Sequence, residues 1–178
     1  AGELVNNSSE QELADIIWKF GQDRHAKKIA KAIIKARTVG DIKTTGQLAD
    51  IVKRAVRANY KKINPATKTF QALRIVVNDE IDELKRVLSA AEKILKPGGR
   101  FVVVSFHSIE DKIVKNFLKK KSGTLEGISR HLPQPLEAKT FSTFELINKK
   151  VIKPTIQEIN NNRRARSARL RAAVRTSA

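Results

Sequence analysis

The 178-residue chain carries 36 Lys and Arg against 18 Asp and Glu, a formal net charge of +18 at pH 7. This excess predicts a polyanionic partner, nucleic acid before an anionic membrane surface; the alternative is a soluble protein that is merely basic. The absence of cysteine excludes disulfides, a thiolate nucleophile and Cys-based metal sites. No apolar run approaches the ~18 residues that would cross a membrane, so a cytoplasmic protein without a metal site is expected.

The first half of the chain is patterned as helices. Ser9 and Glu12 have the spacing of a capping box, which starts a helix that Gly21 ends. Apolar spacing predicts two further helices, over 22–37 and, with Thr45 as its cap, over 46–57.

A longer helical stretch follows Pro65. Its apolar stripe over 67–95 predicts one long helix, or two helices with a bend near Asn78. Pro97-Gly98-Gly99 ends it, because this combination is a turn signal. Residues 9–95 therefore contain no predicted strand.

The character of the sequence changes after this turn. FVVVSF (101–106) is a continuous β-branched run, as in strands that are buried on both faces. Ser108 is predicted to cap a helix over 109–121, and 122–142 to form a surface loop. The stretches FELINKKVIKPTIQEI (144–159) and LRAAVR (170–175) predict further short strands. One good strand with few neighbours indicates the back half of an α/β domain.

Four segments resemble one protein family closely. They are ELADIIWKFGQDRHAKKIAKAII (12–34), NPATKTFQALRIVVNDEIDEL (64–84), LKPGGRFVVVSFHSIEDKIVKNF (95–117) and NRRARSARLRAAVRT (162–176). The chain resembles the bacterial methyltransferases that modify N4 of a cytosine in 16S ribosomal RNA. PATKTFQALR and SFHSIEDKIVK are the long, specific motifs of this resemblance.

The resemblance implies a fold, a cofactor and a missing part. It predicts an α/β protein: an incomplete Rossmann-like methyltransferase domain (91–178) joined to an all-helical, RNA-recognising insertion (1–90). The cofactor would be S-adenosylmethionine, whose site lies mainly before the insertion, so this chain is expected to be a C-terminal portion that is inactive alone. Gly98-Gly99 cannot replace that site, because a cofactor-cradling glycine loop follows a strand and opens a helix.

Three polar residues at the end of the FVVVSF strand are the candidate active-site lining. Ser105, His107 and Ser108 would orient the cytosine amino group, since methylation of an amine depends on positioning and charge stabilisation more than on a strong base. The structural alternative is that Ser108 is only a helix cap, with Ser105 and His107 satisfied inside the fold.

Several polar and basic residues are candidate RNA contacts. Thr69, Gln71, Arg74 and Asn78 mix hydrogen-bonding groups into a helix, where they either contact RNA or form a polar domain seam. The basic candidates for phosphate contact are Lys27, Lys28, Lys31, Lys35, Arg163, Arg164, Arg166, Arg169 and Arg171. Trp18, Phe20 and Tyr60 can stack on bases, although core positions are favoured for Trp18 and Phe20.

The predicted partner is 16S ribosomal RNA or the small ribosomal subunit. A half-sheet with an open edge also favours a homodimer. A different functional class stays open at this point, namely a non-enzymatic RNA-binding or ribosome-assembly protein derived from the same family.

Overall fold

A computed structural model describes residues 1–56, 64–123 and 142–177 of the chain. The chain divides into two compact units, Ala1–Ile81 and Asp82–Ala178. The predicted domain boundary at residue 90 lies inside the helix Glu80–Ile94, which begins just before the division between Ile81 and Asp82. The predictions for Tyr60 and for most of the 122–142 loop fall outside the described residues.

The first unit is built from helices, as the apolar spacing predicts. Their bounds are α1 Gly2–Asn7, α2 Glu10–Gly21, α3 Ala26–Arg37, α4 Thr45–Val56 and α5 Thr67–Val77, and α6 Glu80–Ile94 begins at its end. The α5–α6 stretch is therefore two helices, one of the two predicted alternatives. Asp79 makes the break, with a φ of 51° that a continuing helix cannot contain.

Local capping explains where these helices begin. The Ser9–Glu12 capping box is confirmed, since each residue's side chain accepts from the other's backbone N–H. The predicted Thr45 cap is wrong: Thr44 Oγ1 accepts from the Gln47 N–H at 3.2 Å, and Thr45 is already helical. Either Thr44 or Thr45 has a hydroxyl that could cap the helix, and the sequence pattern does not show which of the two adjacent residues does so.

The core of the first unit lies where α2 packs against α3 and α5. Ile17, Ile29 and Ile33 are fully buried there. Gly21 permits a close approach of α2 to α5, because a Cβ at this position would meet the Lys68 carbonyl oxygen at 2.7 Å. The favoured core position of Trp18 is wrong, since its side chain is 63% exposed.

The second unit contains the strands. Its elements after α6 are β1 Arg100–Ser105, α7 Ser108–Lys121, β2 Phe144–Leu146, α8 Ile156–Asn161, a 3₁₀ helix Arg163–Ser167 and β3 Arg169–Arg175. The strands form an antiparallel sheet in the order β1-β3-β2, with Ser105 opposite Arg169. The α/β class is thus confirmed, and so are strands within 144–159 and 170–175.

One face of this sheet is covered and the other is not. Phe101, Phe117 and Phe144 pack together with ring centroids 5.6–6.4 Å apart, and Leu88 and Val114 are buried beside them. On the opposite face of β1, Val102 and Val104 are 53% and 48% exposed. The expectation that this strand is buried on both faces is therefore wrong for the described residues. Among these residues, no helix has the length and apolarity needed to cross a membrane.

Candidate active-site edge and nucleic-acid surfaces

The three candidate active-site residues lie together where β1 ends and α7 begins. Ser105 is the last residue of β1 and is 3% exposed, while Ser108 is the first residue of α7 and is half-buried. Between them the chain turns sharply at Phe106, whose side chain is 56% exposed. The strand-to-helix junction thus presents one large apolar side chain and three hydrogen-bonding ones.

His107, not Ser108, is the N-cap of α7. Its Nδ1 accepts from the Glu110 N–H at 3.3 Å, and Glu110 Oε2 accepts from the N–H groups of Phe106 and His107 at 2.8 and 3.2 Å. An Nδ1 that accepts a hydrogen bond carries no proton, so this contact is made by the tautomer with its proton on Nε2. His107 Nε2 lies 3.3 Å from Glu110 Oε1. The cap therefore fixes the orientation of the imidazole.

Asp111, in the first turn of α7, forms ion pairs that connect this junction to β3. Its carboxylate, 8% exposed, accepts from Arg171 Nε at 2.7 Å and Nη2 at 3.2 Å, and from Arg169 Nη1 at 2.9 Å. Burial acts to raise the pKa of Asp111, but the hydrogen bonds and charges of Arg171 and Arg169 outweigh it and lower the pKa below its ordinary value. The SFHSIED and ARLR motifs thus meet in one ion-pair cluster.

Two of the predicted phosphate contacts, Arg169 and Arg171, belong to this ion-pair cluster. Arg169 and Arg171 lie on the covered face of the sheet, and each pairs with Asp111. Asp111 is not among the candidate site residues that the sequence indicated. Its pairing with two arginines 58 and 60 residues away is a long-range contact. Arg169 and Arg171 are two residues apart, so in a strand their side chains lie on the same face. This spacing is the sequence signal that both arginines can bind one carboxylate.

The polar residues of α5 mainly make structural contacts within the first unit. Thr69 is fully buried, and its Oγ1 has no hydrogen-bond partner in the described parts of the chain. Gln71 Nε2 donates to the Phe20 carbonyl at 3.2 Å, near the end of α2. Arg74 makes a two-pronged ion pair with Glu80, through Nε at 2.7 Å and Nη2 at 3.1 Å, and Asn78 Nδ2 donates to Glu80 at 3.3 Å. Their contact with RNA stays a prediction.

The basic candidates outside the Asp111 cluster lie on exposed surface. On α3 the inward positions are Ile29, Ala30 and Ile33, and the exposed ones are Lys27, Lys28, Lys31 and Lys35. None of these four lysines pairs with an acidic group within the described residues. Arg163, Arg164 and Arg166 are exposed on the 3₁₀ helix, which buried Ala165 and the Asn162 side chain hold in place. Both surfaces are suited to phosphate contact.

The double glycine Gly98-Gly99 forms a turn that pairs with the end of β3. Gly98, with φ of 80°, donates its N–H to the Arg175 carbonyl, and the Gly99 carbonyl accepts from the Arg175 N–H, both at 2.8 Å. These glycines therefore continue the β1–β3 pairing as a turn, as expected. The described strand-to-helix junction, Ser105 to Ser108, contains no glycine whose N–H could approach a cofactor closely.

Comparison with known proteins places these observations in a family. The chain is 49% identical to the ribosomal RNA small subunit methyltransferase H of Paramagnetospirillum magneticum, 52% to that of Bradyrhizobium diazoefficiens and 54% to that of Nitrobacter winogradskyi. Each alignment covers all of this chain and 56%, 53% and 53% of the respective relative. The chain thus spans about half the length of these relatives. A model of the MraW methylase family matches residues 1–176, and the chain belongs to that family.

Proposed function

We propose that the intact protein containing this chain is an S-adenosylmethionine-dependent methyltransferase acting on N4 of a cytosine in 16S ribosomal RNA. The observation that carries the proposal is the family match over residues 1–176, together with relatives named as small-subunit ribosomal RNA methyltransferases. The substrate is the RNA itself or the small ribosomal subunit.

In this proposal the chain supplies RNA recognition and part of the catalytic domain. The α3 lysines and the arginines of the 3₁₀ helix bind phosphate, which gives affinity and register but no sequence information. The β1–α7 junction lines the site, and its residues position the cytosine amino group. The chain alone is inactive, because the cofactor site lies mainly outside it and its own glycine turn is occupied by sheet pairing.

A chimera tests this proposal. The matching half of the Nitrobacter winogradskyi relative, which is 54% identical, is replaced by this chain, and the chimera is incubated with S-adenosylmethionine and unmodified small ribosomal subunits. Nucleoside mass spectrometry of the RNA is expected to detect N4-methylcytidine. A methyl group on another atom or base would contradict the assignment to N4. The chain without the other half, treated in the same way, is expected to transfer no methyl group.

The open side of the sheet leads to a second, smaller proposal. At its other edge β1 pairs with no described strand, and exposed Val102 and Val104 lie on this strand. In the intact protein the remainder of the catalytic domain covers this surface. In the isolated chain we propose that two copies pair there, because an apolar strand with a free edge favours association. Light scattering after size exclusion is expected to give twice the 19.9 kDa chain mass; a monomer at high concentration would contradict the dimer.

A further inference from the structure

The second unit contains a cavity that none of the sequence motifs indicated. It has a volume of about 650 Å³ and lies among α7, β2 and β3. Leu118, Phe144 and Leu146 line its apolar part. This volume is within the range of roughly 300–1,000 Å³ that is usual for small-molecule sites, and an apolar floor with a few polar groups is their usual construction.

The polar groups around the cavity are mostly cationic. Its described lining includes Lys115 and Lys119 from α7, Lys149 after β2 and Arg171 from β3, against the single carboxylate of Glu145. Lys115 and Lys119 are four residues apart and therefore lie on one side of α7. The cavity is thus suited to an anion that also has apolar surface.

Arg171 is the best-oriented cation of the lining. Asp111 holds its Nε and Nη2, so the guanidinium is fixed in place, and the side chain is 13% exposed. These hydrogen bonds use Nε and Nη2 and do not involve Nη1. A guanidinium that is already oriented loses little freedom when it binds phosphate, and its planar fork matches phosphate oxygens.

We infer that this cavity binds one nucleotide of single-stranded RNA. The phosphate contacts Arg171 and the lysines, while the ribose and base contact Leu118 and Leu146. RNA is the ligand that the charge favours, since the chain carries +18 overall and the cavity combines cations with a carbon-lined interior. The inference rests on the proposed RNA recognition and adds to it a site in the second unit, separate from the α3 lysines.

The test measures fluorescence anisotropy of a labelled eight-nucleotide single-stranded RNA with the whole chain. The variant K115Q/K119Q/K149Q removes three charges at the cavity, and K85Q/K93Q/K96Q removes three charges from the same unit away from it. At about 0.15 M salt the cavity variant is expected to bind about tenfold more weakly than the matched control, and its salt slope is expected to fall by about 0.7, as for one lost phosphate contact on a single strand. Thermal melting checks that both variants keep their fold.

The outcomes separate this inference from the proposed function. Equal weakening by the two variants would overturn the cavity site while RNA binding by the unchanged chain would still support RNA recognition. Absence of RNA binding by the unchanged chain, even at low salt, would contradict both. Photocrosslinking with 4-thiouridine RNA gives a second measurement, with crosslinks expected in the peptides of α7 or 144–149. Crosslinks confined to α3 would also overturn the cavity site.

Discussion

His107 shows how a single residue can be both a cap and a candidate site residue. Its Nδ1 accepts from the Glu110 N–H, so the side chain stabilises the start of α7 and is held beside Ser105 and Ser108 at the end of β1. A stability measurement alone cannot separate these roles, because any loss of the cap also moves the junction. A substitution that keeps the cap is needed to separate them.

Two substitutions at His107 provide this separation. We expect H107A to lower the free energy of unfolding by about 1 kcal/mol, and H107N to lower it much less, since Asn is among the best N-cap residues. Because His107 lines the proposed site, we expect H107N to reduce methyl transfer by the chimera about tenfold through misplacement of the substrate. Urea unfolding and the nucleoside assay measure the two effects. Full activity of H107N would show that His107 acts only as a cap.

Asp111 joins the β1–α7 junction to β3 through its ion pairs with Arg169 and Arg171. We expect D111N to lower the free energy of unfolding by about 3 kcal/mol, because two arginines, one of them largely buried, lose their charged partner. Urea unfolding at pH 7 measures this. The control is D82N, since Asp82 pairs with Lys85 on exposed surface, where an ion pair contributes little.

The ion pairs of Asp111 with Arg169 and Arg171 predict that the free energy of unfolding depends on pH. The pKa of Asp111 is lowered in the folded state, so its contribution is fully present above the ordinary value of 3.8 and is lost as pH falls through the lowered folded value. The difference in unfolding free energy between the unchanged chain and D111N is therefore expected to be constant from pH 5 to 7 and to shrink only below about pH 4. A difference that already shrinks at pH 6 would contradict the lowered pKa.

At the scale of elements, the helices were predictable because their signals are local. The Ser9–Glu12 box and the apolar stripe of α2 lie within a few residues of each other, so sequence spacing reports them directly. The predicted caps, Thr45 and Ser108, lie one residue after the observed caps, Thr44 and His107. Adjacent side chains compete for the same N–H, and the backbone geometry decides which of them accepts. Exposed Trp18 and the Asp111 cluster were missed because tertiary packing, not spacing, determines them.

The α2–α5 contact gives a prediction at this scale. Gly21 leaves room for the Lys68 carbonyl, which a Cβ would approach to 2.7 Å, so G21A must push α2 and α5 apart. We expect it to lower the free energy of unfolding by about 2 kcal/mol, as for an overpacked core. G46A is the matched control, because no atom lies nearer than 3.8 Å to its Cβ and alanine favours a helix. Equal stability of the two variants would contradict the close approach.

At the scale of the whole molecule, the chain is a basic member of the MraW methylase family, with a net charge of +18. The surfaces proposed to bind phosphate lie on α3, on the 3₁₀ helix and at the cavity of the second unit. The composition predicted the polyanionic partner, and the motifs predicted the family. The cavity was not predictable, because its lining comes from three elements that only the folded chain brings together.

Calorimetric titration of S-adenosylmethionine into the purified chain tests whether the cofactor site of the proposed enzyme lies mainly outside this chain. We expect no detectable heat up to about 1 mM ligand, which corresponds to a binding free energy no more favourable than about −4 kcal/mol, because the Gly98-Gly99 turn is held in the sheet. Saturable binding in that range would contradict the division of the enzyme proposed here and would place the cofactor site within this chain.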